Sequence, residues 1–511
     1  MPSRASGASW TGPQRWTLFV TILGSSLAFV DGTVVNVALN ALQRAFDAQT
    51  TAVVWVVNAY TLALAATLLL GGALGDRLGL RRVFTFGTVG FTVASCLCAA
   101  APSLDILIAA RVLQGTGAAL LIPTSLALLD ASFPPAGRVR AVGWWSAATS
   151  AVNVLGPSIG GWLVDLHAWR AVFLINVPLA LMVLIGVRRV PESLPREDGT
   201  RLDLPGAALA ALALTALTLA LLGGGVTGTG RTLLLIGAAV TFVGFFVWEG
   251  RTASPMLPLR LFRSTAFSGG NVLTFLLYGA LSATLLYLPL VFIRVQGYTA
   301  GMAGVALLPF SVPLAVLSGV IGLLSSRVPV RALLTAGPIL TGIGFVTLGS
   351  VGVNADYRTH VLPALLLMGV GMAVVVAPLT SAVLGAAPVA DAGVASAVNN
   401  AVSRVGGVVI VAALTLVMLT TFERSLERRL EATAVPEDAR RQFVAQVSKL
   451  SDDVIPASLG RDAARVARLT VREAFADGFQ ALCVGAGALA ALGGVVGALT
   501  LAGTGARARK G

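Results

Sequence analysis

The sequence predicts an all-α polytopic membrane protein, and its composition supplies the first two reasons. Of 511 residues, 56% are hydrophobic and only 12% are charged, whereas an average soluble domain is about 25% charged. The 23 acidic and 36 basic residues are too few to cover a soluble protein of this length. The mean hydropathy of +0.86 is too high for a disordered chain. An ordinary soluble enzyme and a disordered chain are therefore both excluded.

The third reason is a series of long apolar stretches. A transmembrane helix needs about 20 mainly apolar residues, and fourteen stretches of the chain meet or approach this length. We therefore predict fourteen transmembrane helices. They cover residues 16–38, 52–74, 83–101, 105–127, 140–163, 170–188, 205–223, 232–249, 266–293, 303–324, 332–350, 360–383, 398–420 and 478–502.

The basic residues indicate how these helices are oriented. With the N-terminus placed in the cytoplasm, the inner segments carry nineteen basic residues and the short outer segments carry five. Cytoplasmic loops of membrane proteins carry such an excess, so we expect a bacterial plasma-membrane protein with both termini cytoplasmic. The net charge of +13 is then a topology signal, and no nucleic-acid partner is expected. A long outer loop, 423–477, is interpreted as an extracellular cap, with partner binding as the alternative.

An internal repeat divides the chain. Adding 250 to the residue number places segment 72–81 on segment 322–331 and Gly156 on Gly406. Two repeated halves around a central cavity are typical of secondary transporters. The predicted division is an N-terminal six-helix half (1–189), two inserted helices with their flanking loops (190–265) and a C-terminal six-helix half (266–511) that includes loop 423–477.

The loop after the second span is rich in glycine and charge. Glycine permits tight turns, and Asp76 can face a helix N-terminus, where the helix dipole favours an anion. Arg77 is placed to pair with Asp130 at the inner end of span 4. We predict that this cluster closes the cytoplasmic side, with plain topogenic charge as the alternative. The predicted inner gate comprises Gly72, Asp76, Arg77, Gly79, Arg81, Arg82 and Asp130.

Spans 1 and 4 carry charged residues inside the membrane. Asp31 is the only acidic residue placed well inside any span, and Arg111 lies several residues inside span 4. Charges at this depth are costly, which favours a functional or pairing role. A carboxyl group that changes environment can gain and lose a proton, as a proton carrier must. A purely structural aspartate is the alternative. Gln114 lies one turn from Arg111 and can share its helix face.

Span 5 contains a cluster of glycines around a proline. Gly156 and Gly160 form a smooth surface for a neighbouring helix, and Gly161 follows directly. Pro157 removes one backbone hydrogen bond and permits a bend. Either tight packing alone or a helix that must also flex explains the cluster.

These motifs together resemble those of the major facilitator superfamily, and more narrowly of its fourteen-span drug:proton antiporter family. Segments 55–60 and 169–178 extend the resemblance over nearly the whole chain. It implies the major facilitator fold, with two six-helix halves plus two extra helices, and proton-driven efflux of amphipathic drugs, antibiotics or dyes. It also implies that Asp31 and Arg111 couple transport to protons, and that the glycine–proline motif of span 5 belongs to an antiporter.

The second half departs from the family pattern in its charges. Ser326 stands where the first half has Asp76, and spans 9–14 hold no acidic residue but do hold Arg404. A preference for dications is therefore doubtful, and neutral, monocationic and anionic substrates all stay open. Helix packing is the alternative role for each cavity candidate. These candidates are Asn36, Tyr60, Gln114, Asn153, Asn271, Tyr278, Asn399, Asn400 and Arg404.

The sequence is also compatible with functions other than multidrug efflux. An exporter dedicated to one endogenous metabolite, lipid or self-made antibiotic is the main alternative. The span 5 motif argues against an uptake symporter. A membrane enzyme is not expected, because the sequence offers no nucleophile–base pair, metal cluster or phosphate loop. We expect a monomer in the lipid bilayer that binds an amphipathic small molecule and protons, is driven by the proton gradient, and needs no metal or cofactor.

Overall fold

The computed structural model describes residues 10–133, 135–192, 203–222, 228–253, 255, 257–324, 328–387, 392–431 and 461–501. Within these ranges the chain is helical and contains no β-strand. The predicted all-α class is confirmed. Short 3₁₀ or π turns at Val187–Arg189, Leu259–Arg263 and Tyr357–Val361 connect some of the helices.

The first part of the chain forms seven α-helices. The first begins with a capping box, in which the Gln14 backbone N–H donates to the Thr11 hydroxyl and the Thr11 backbone N–H donates to the Gln14 side chain. The second ends at Gly79, whose φ of 99° favours glycine. The helices are α1 (Gly12–Phe46), α2 (Thr50–Leu78), α3 (Leu80–Ala100), α4 (Leu104–Ser132), α5 (Pro135–Asp165), α6 (Ala171–Leu174) and α7 (Asn176–Gly186).

The remaining described residues form nine further α-helices. The two inserted helices pair with each other, and the first of them also packs against α2 and against the next-to-last helix of the chain. The helices are α8 (Leu204–Leu222), α9 (Thr229–Arg251), α10 (Thr265–Arg294), α11 (Ala300–Ala306), α12 (Leu308–Leu324), α13 (Val330–Leu348), α14 (Leu362–Gly385), α15 (Ala392–Glu431) and α16 (Arg461–Thr500).

Twelve helical segments of the described chain are long and apolar enough to cross a membrane. Predicted spans 140–163 and 205–223 coincide with α5 and α8, which are not among these twelve, so the number fourteen stays a prediction. Large apolar side chains cover the outside of the bundle. Ile185, Leu212 and Val240 are each more than half exposed, as expected of side chains that face lipid.

Helices occupy both ends of the predicted loop 423–477. Helix α15 continues to Glu431 and α16 begins at Arg461, so both ends of the predicted loop are helical extensions of membrane helices. Arg429 on α15 forms ion pairs with Glu473 and Asp477 on α16. The alternating charges of 461–476 predict a helix there, as the structure shows, whereas the end of α15 beyond residue 420 was not predicted because it lacks the apolar content that marks a span.

The two halves use matching glycines for matching contacts. A Cβ at Gly156 of α5 would collide with the Thr33 hydroxyl of α1. A Cβ at Gly406 of α15 would lie 2.6 Å from the Phe275 carbonyl oxygen of α10. Both glycines therefore let a helix pack closely on the first helix of its own half, as the offset of 250 residues leads one to expect.

Candidate functional site

A buried ion pair joins α1 to α4 in the middle of the first half. The Arg111 guanidinium donates through Nη1 to Oδ2 of Asp31. The side chain of Asp31 is completely enclosed and that of Arg111 is 1% exposed. Two charges removed from water at this depth are stable only when their other polar atoms are also hydrogen-bonded.

The second oxygen of Asp31 is held by two amides. Gln114 donates from Nε2 to Oδ1 over 2.8 Å, and Asn176 of α7 donates to the same atom over 3.1 Å. The same two amide groups also donate to the hydroxyl of Ser95 on α3, over 2.8 and 3.3 Å. Four helices of the first half therefore contribute to one polar network, defined as Asp31, Ser95, Arg111, Gln114 and Asn176.

The guanidinium of Arg111 is fixed on its other sides as well. Its Nε donates to the backbone oxygen of Val56 over 2.8 Å, and Nη1 also donates to Oε1 of Gln114 over 2.6 Å. The Tyr60 ring centroid lies 4.2 Å from the guanidinium carbon, and that of Phe173 lies 5.9 Å away. These rings add a cation–π attraction and exclude water.

Small residues on α4 make this arrangement possible. A Cβ at Gly115 would collide with the backbone carbonyl of Tyr60 on α2. A Cβ at Gly117 would lie 2.7 Å from the backbone nitrogen of Phe91 on α3. The glycine pair that follows Gln114 thus brings α2 and α3 against α4, and the polar side chains of these helices come within hydrogen-bonding distance.

The structure brings together three predicted site residues and adds two. Asp31, Arg111 and Gln114 meet directly, and Tyr60 covers the pair. Ser95 and Asn176 were not predicted as site residues. Asn176 lies in the segment 169–178 that supported the family resemblance, so the amide was visible there without an assigned role. Ser95 gave no signal, because a serine beside cysteines in an apolar helix is common packing.

The glycine–proline motif of α5 lies between the two halves. A Cβ at Gly160 would lie 2.9 Å from the Val34 backbone oxygen on α1, and one at Gly161 would lie 2.8 Å from Cα of Gly301 on α11. A Cβ at Gly304 of α11 would in turn lie 2.7 Å from the carbonyl carbon of Pro157. The motif therefore brings backbone against backbone at the contact between the halves.

Hydrogen bonds join the halves at the predicted extracellular end. The Asp165 carboxylate accepts from the backbone nitrogens of Ala300 and Gly301 over 2.9 and 2.8 Å, at the N-terminus of α11. The Arg294 guanidinium at the end of α10 donates to Asn40 over 3.2 Å and to Gln43, both on α1. In this structure the two halves are thus closed together on that side.

The loop predicted as the inner gate is described in part. The Arg81 guanidinium donates to Glu192 over 3.1 Å and to the Val190 carbonyl over 3.0 Å, and Arg82 lies 3.9 Å from the same carboxylate. Glu192 was not predicted as a partner. Arg77 is exposed at the end of α2. The predicted contact of Arg77 with Asp130, and the side chain of Asp76, lie outside the described part.

The predicted cavity residues have different surroundings. Asn399 donates to Asn271 over 3.1 Å and to Thr274 over 2.8 Å, so these amides bridge α15 and α10. Oδ1 of Asn36 is enclosed and accepts no hydrogen bond within the described chain. Of the other candidates, Tyr278 and Arg404 are partly covered, Asn400 is exposed, and the side chain of Asn153 lies outside the described part.

Comparison with protein families identifies the family of this chain. The family model of the Major Facilitator Superfamily matches residues 21–411. The chain belongs to this superfamily. It is therefore a multi-pass membrane transporter rather than an enzyme, and the resemblance expected from the motifs is confirmed.

The similar curated proteins are named for resistance to drugs and antibiotics. The multidrug resistance protein Stp of Mycobacterium tuberculosis is 35% identical over 445 residues, covering 85% of this chain and 81% of Stp. The methylenomycin A resistance protein of Streptomyces coelicolor is 36% identical, covering 78% of this chain and 84% of the relative. The tetracenomycin C resistance and export protein of Streptomyces glaucescens is 31% identical, covering 95% and 91%.

Solved structures support the fold. A bacterial homologue of the human lysosomal transporter Spinster, in an inward-facing and unoccupied conformation, has a TM-score of 0.67 at 16% identity and covers 96% of this chain and 98% of its own. A D-xylose–proton symporter has a TM-score of 0.58 at 17% identity, covering 80% and 90%. At these identities the likeness shows the major facilitator fold alone.

Proposed function

We propose that this protein exports amphipathic small molecules, such as drugs, antibiotics and dyes, in exchange for protons, with Asp31 as the proton carrier. The observation that carries the proposal is the enclosed contact between Asp31 and Arg111. Among the described residues, the ion-pair partner of this carboxylate is Arg111, so uptake of a proton exchanges the ion pair for a neutral carboxyl group, which burial favours. The named functions of the relatives support the drug and antibiotic part of the proposal.

The transport cycle follows from this pair and from the contacts between the halves. A substrate binds from the cytoplasm or the inner leaflet while the outer ends of the halves are joined through Asp165 and Arg294. The halves then rock, which breaks these outer contacts. A proton from outside neutralises Asp31, weakens its pairing with Arg111, loosens the substrate and favours the return step. The proton then leaves to the cytoplasm.

We also propose in which membrane the transporter lies, in which oligomeric state it acts and what drives it. The transporter lies in the bacterial plasma membrane with both termini in the cytoplasm, as the basic inner segments favour. It acts as a monomer in the lipid bilayer and takes its energy from the proton gradient without a cofactor.

Replacement of Asp31 by Asn tests the coupling. In everted vesicles, wild-type protein should accumulate ethidium faster when an acid-inside pH gradient is imposed. Asp31→Asn should lose this acceleration, because the amide cannot take up and release a proton. The variant should still exchange ethidium down its concentration gradient without a pH difference, since the substrate path is unchanged. Both rates are measured by ethidium fluorescence.

Asp47→Asn is the matched control. Asp47 lies on the exposed end of the same helix with φ 44°, a left-handed conformation that asparagine tolerates. This variant should keep the full response to the pH gradient. Normal pH-driven accumulation in Asp31→Asn would contradict the role of Asp31, and absent transport of every dye by wild-type protein would contradict the export of amphipathic compounds.

A dedicated exporter is the second candidate. The relatives from Streptomyces named here are each called after one compound, methylenomycin A or tetracenomycin C, which favours a single physiological substrate. A panel of chemically unrelated dyes and antibiotics separates the two candidates. Export of many panel members supports the multidrug function, and export of one chemical series supports the dedicated exporter.

A further inference from the structure

Arg404 is a second arginine within the membrane, and its surroundings differ from those of Arg111. It lies on α15, within the membrane segment Val398–Glu431, and its side chain is only partly covered by protein. Among the described residues it has no ion pair and no hydrogen bond through its guanidinium. A charged side chain at such a position without a partner is costly, and a functional role is the default interpretation.

The position of Arg404 is central. Its helix, α15, packs against α2, which carries Tyr60 and belongs to the first half. The Tyr60 ring is the same one that covers Arg111. Val405 and Val408, beside Arg404 on α15, pack with Leu62 of α2. Arg404 is therefore at the contact between the halves, close to the buried polar network.

The carboxylate of that network is already occupied. Asp31 accepts from Arg111 through Oδ2 and from Gln114 and Asn176 through Oδ1. Its only strong ionic partner is Arg111, so the charge of Arg404 is left over. The centre of the described membrane region thus holds two arginines and one carboxylate, and carries one uncompensated positive charge.

We propose that Arg404 binds an acidic group of the exported compound, so that amphipathic molecules with a carboxylate or phenolate are the preferred substrates. This inference rests on the proposed export function and narrows its substrate class. An acidic head group would complete the charge balance, and guanidinium is well suited to carboxylates because it offers several donors in one plane. The apolar body of the substrate would lie along Val402 and Val405 of α15, which are only partly covered by protein.

The test compares acids with their own methyl esters. Two fluorescent pairs serve as probes: 1-pyrenebutanoate with its methyl ester, and 7-methoxycoumarin-4-acetate with its methyl ester. Each ester keeps the aromatic body and loses the carboxylate. In proteoliposomes, wild-type protein should export the acid over the ester with a preference of roughly ten- to a hundredfold, the range expected for a hydrogen bond to a charged group.

Three variants and one control connect this preference to Arg404. Arg404→Gln should reduce the acid-to-ester ratio to about one by the same argument, while Arg404→Lys should keep a clear preference because it keeps the charge. Arg404→Glu should favour the ester. Arg331→Gln is the control. Arg331 is an exposed arginine at the start of α13, where it lines a groove between α13 and α16. Its replacement should not change the ratio.

A binding measurement on purified protein separates the affinity for the acid from the rate of transport. The affinity for 1-pyrenebutanoate is measured by energy transfer from tryptophan, together with the unfolding temperature of each variant. Equal export of acid and ester by wild-type protein, or an unchanged ratio and affinity in a stably folded Arg404→Gln variant, would overturn this inference and leave the proposed function intact. Failure of wild-type protein to export any of the four compounds would count against the proposed function itself.

Discussion

The two halves of the transporter place polar groups in the membrane in different ways. In the first half, Asp31 and Arg111 are charged, enclosed and hydrogen-bonded on nearly every side. In the second half, the described intramembrane polar contacts include the neutral pair Asn271 and Asn399, and Arg404 of α15 forms no ion pair with a described residue. A repeated fold thus carries two unlike interiors, one built around an ion pair and the other around neutral amides.

The same fold therefore does not impose the same intramembrane chemistry on both halves. A buried ion pair needs complete hydrogen bonding before its formation compensates for lost hydration, and the first half supplies this from four helices. An amide pair needs far less support, because each neutral group loses less on leaving water. Proton coupling is therefore proposed for the first half, and recognition of the substrate charge for the second.

The largest expected effect is on stability, and it separates the two arginines. Arg111→Gln leaves the Asp31 carboxylate buried without its cation, which should cost about 3–5 kcal/mol. Arg404→Gln removes a charge that forms no ion pair with a described residue, and it should leave the protein equally stable or more stable. Thermal unfolding of both purified variants in one detergent measures the contrast. A similar loss in both would show that Arg404 is paired as strongly as Arg111.

A smaller effect is expected where the two halves touch. Gly161→Ala places a methyl group against the backbone of Ala300 and Gly301, so the close contact of α5 with α11 should be lost at a cost of about 1–3 kcal/mol. Export should fall because the extracellular side no longer closes. The unfolding temperature and the export rate are both measured.

Gly90→Ala is the matched control for this substitution. Gly90 lies exposed on α3, and a Cβ there would meet no atom within 4 Å. Alanine forms helices better than glycine by up to about 1 kcal/mol, so this variant should be at least as stable as wild-type protein. Full transport in Gly161→Ala would show that close packing of α5 on α11 is not needed.

The smallest effect is expected for the amide pair. Asn271→Ala removes the acceptor for Asn399, which still donates to Thr274. Hydrogen bonds between membrane helices contribute about 0.6 kcal/mol on average, so unfolding should shift only slightly. The response of export to a pH gradient should stay unchanged, and vesicle assays with an imposed gradient check this. A lost pH response would place proton coupling in both halves and remove the contrast between them.

Much of the fold was predictable from sequence because it depends on local composition. Long apolar runs marked the membrane helices, and isolated charges marked Asp31 and Arg111. Glycine in the loop after span 2 indicated a tight turn, and Gly79 does have a positive φ between α2 and α3. The end of α15 beyond residue 420 was not predicted, because its polar turns lack the apolar content of a membrane span. In the second half, Asn271 and Asn399 were proposed as cavity residues with helix packing as the alternative, and nothing in the sequence indicated that they hydrogen-bond to each other.

The sequence by itself determined the membrane class, the approximate helices and the superfamily, and it marked Asp31 and Arg111 as candidate site residues. Only the tertiary structure decided which distant side chains meet: Ser95 and Asn176 join the network of Asp31, and Glu192 pairs with Arg81. The physical reason is that apolar periodicity fixes where a helix runs and leaves open how far each helix rotates against its neighbours. Small residues at the crossing points, such as Gly115, set these rotations through contacts that exist only once the bundle has formed.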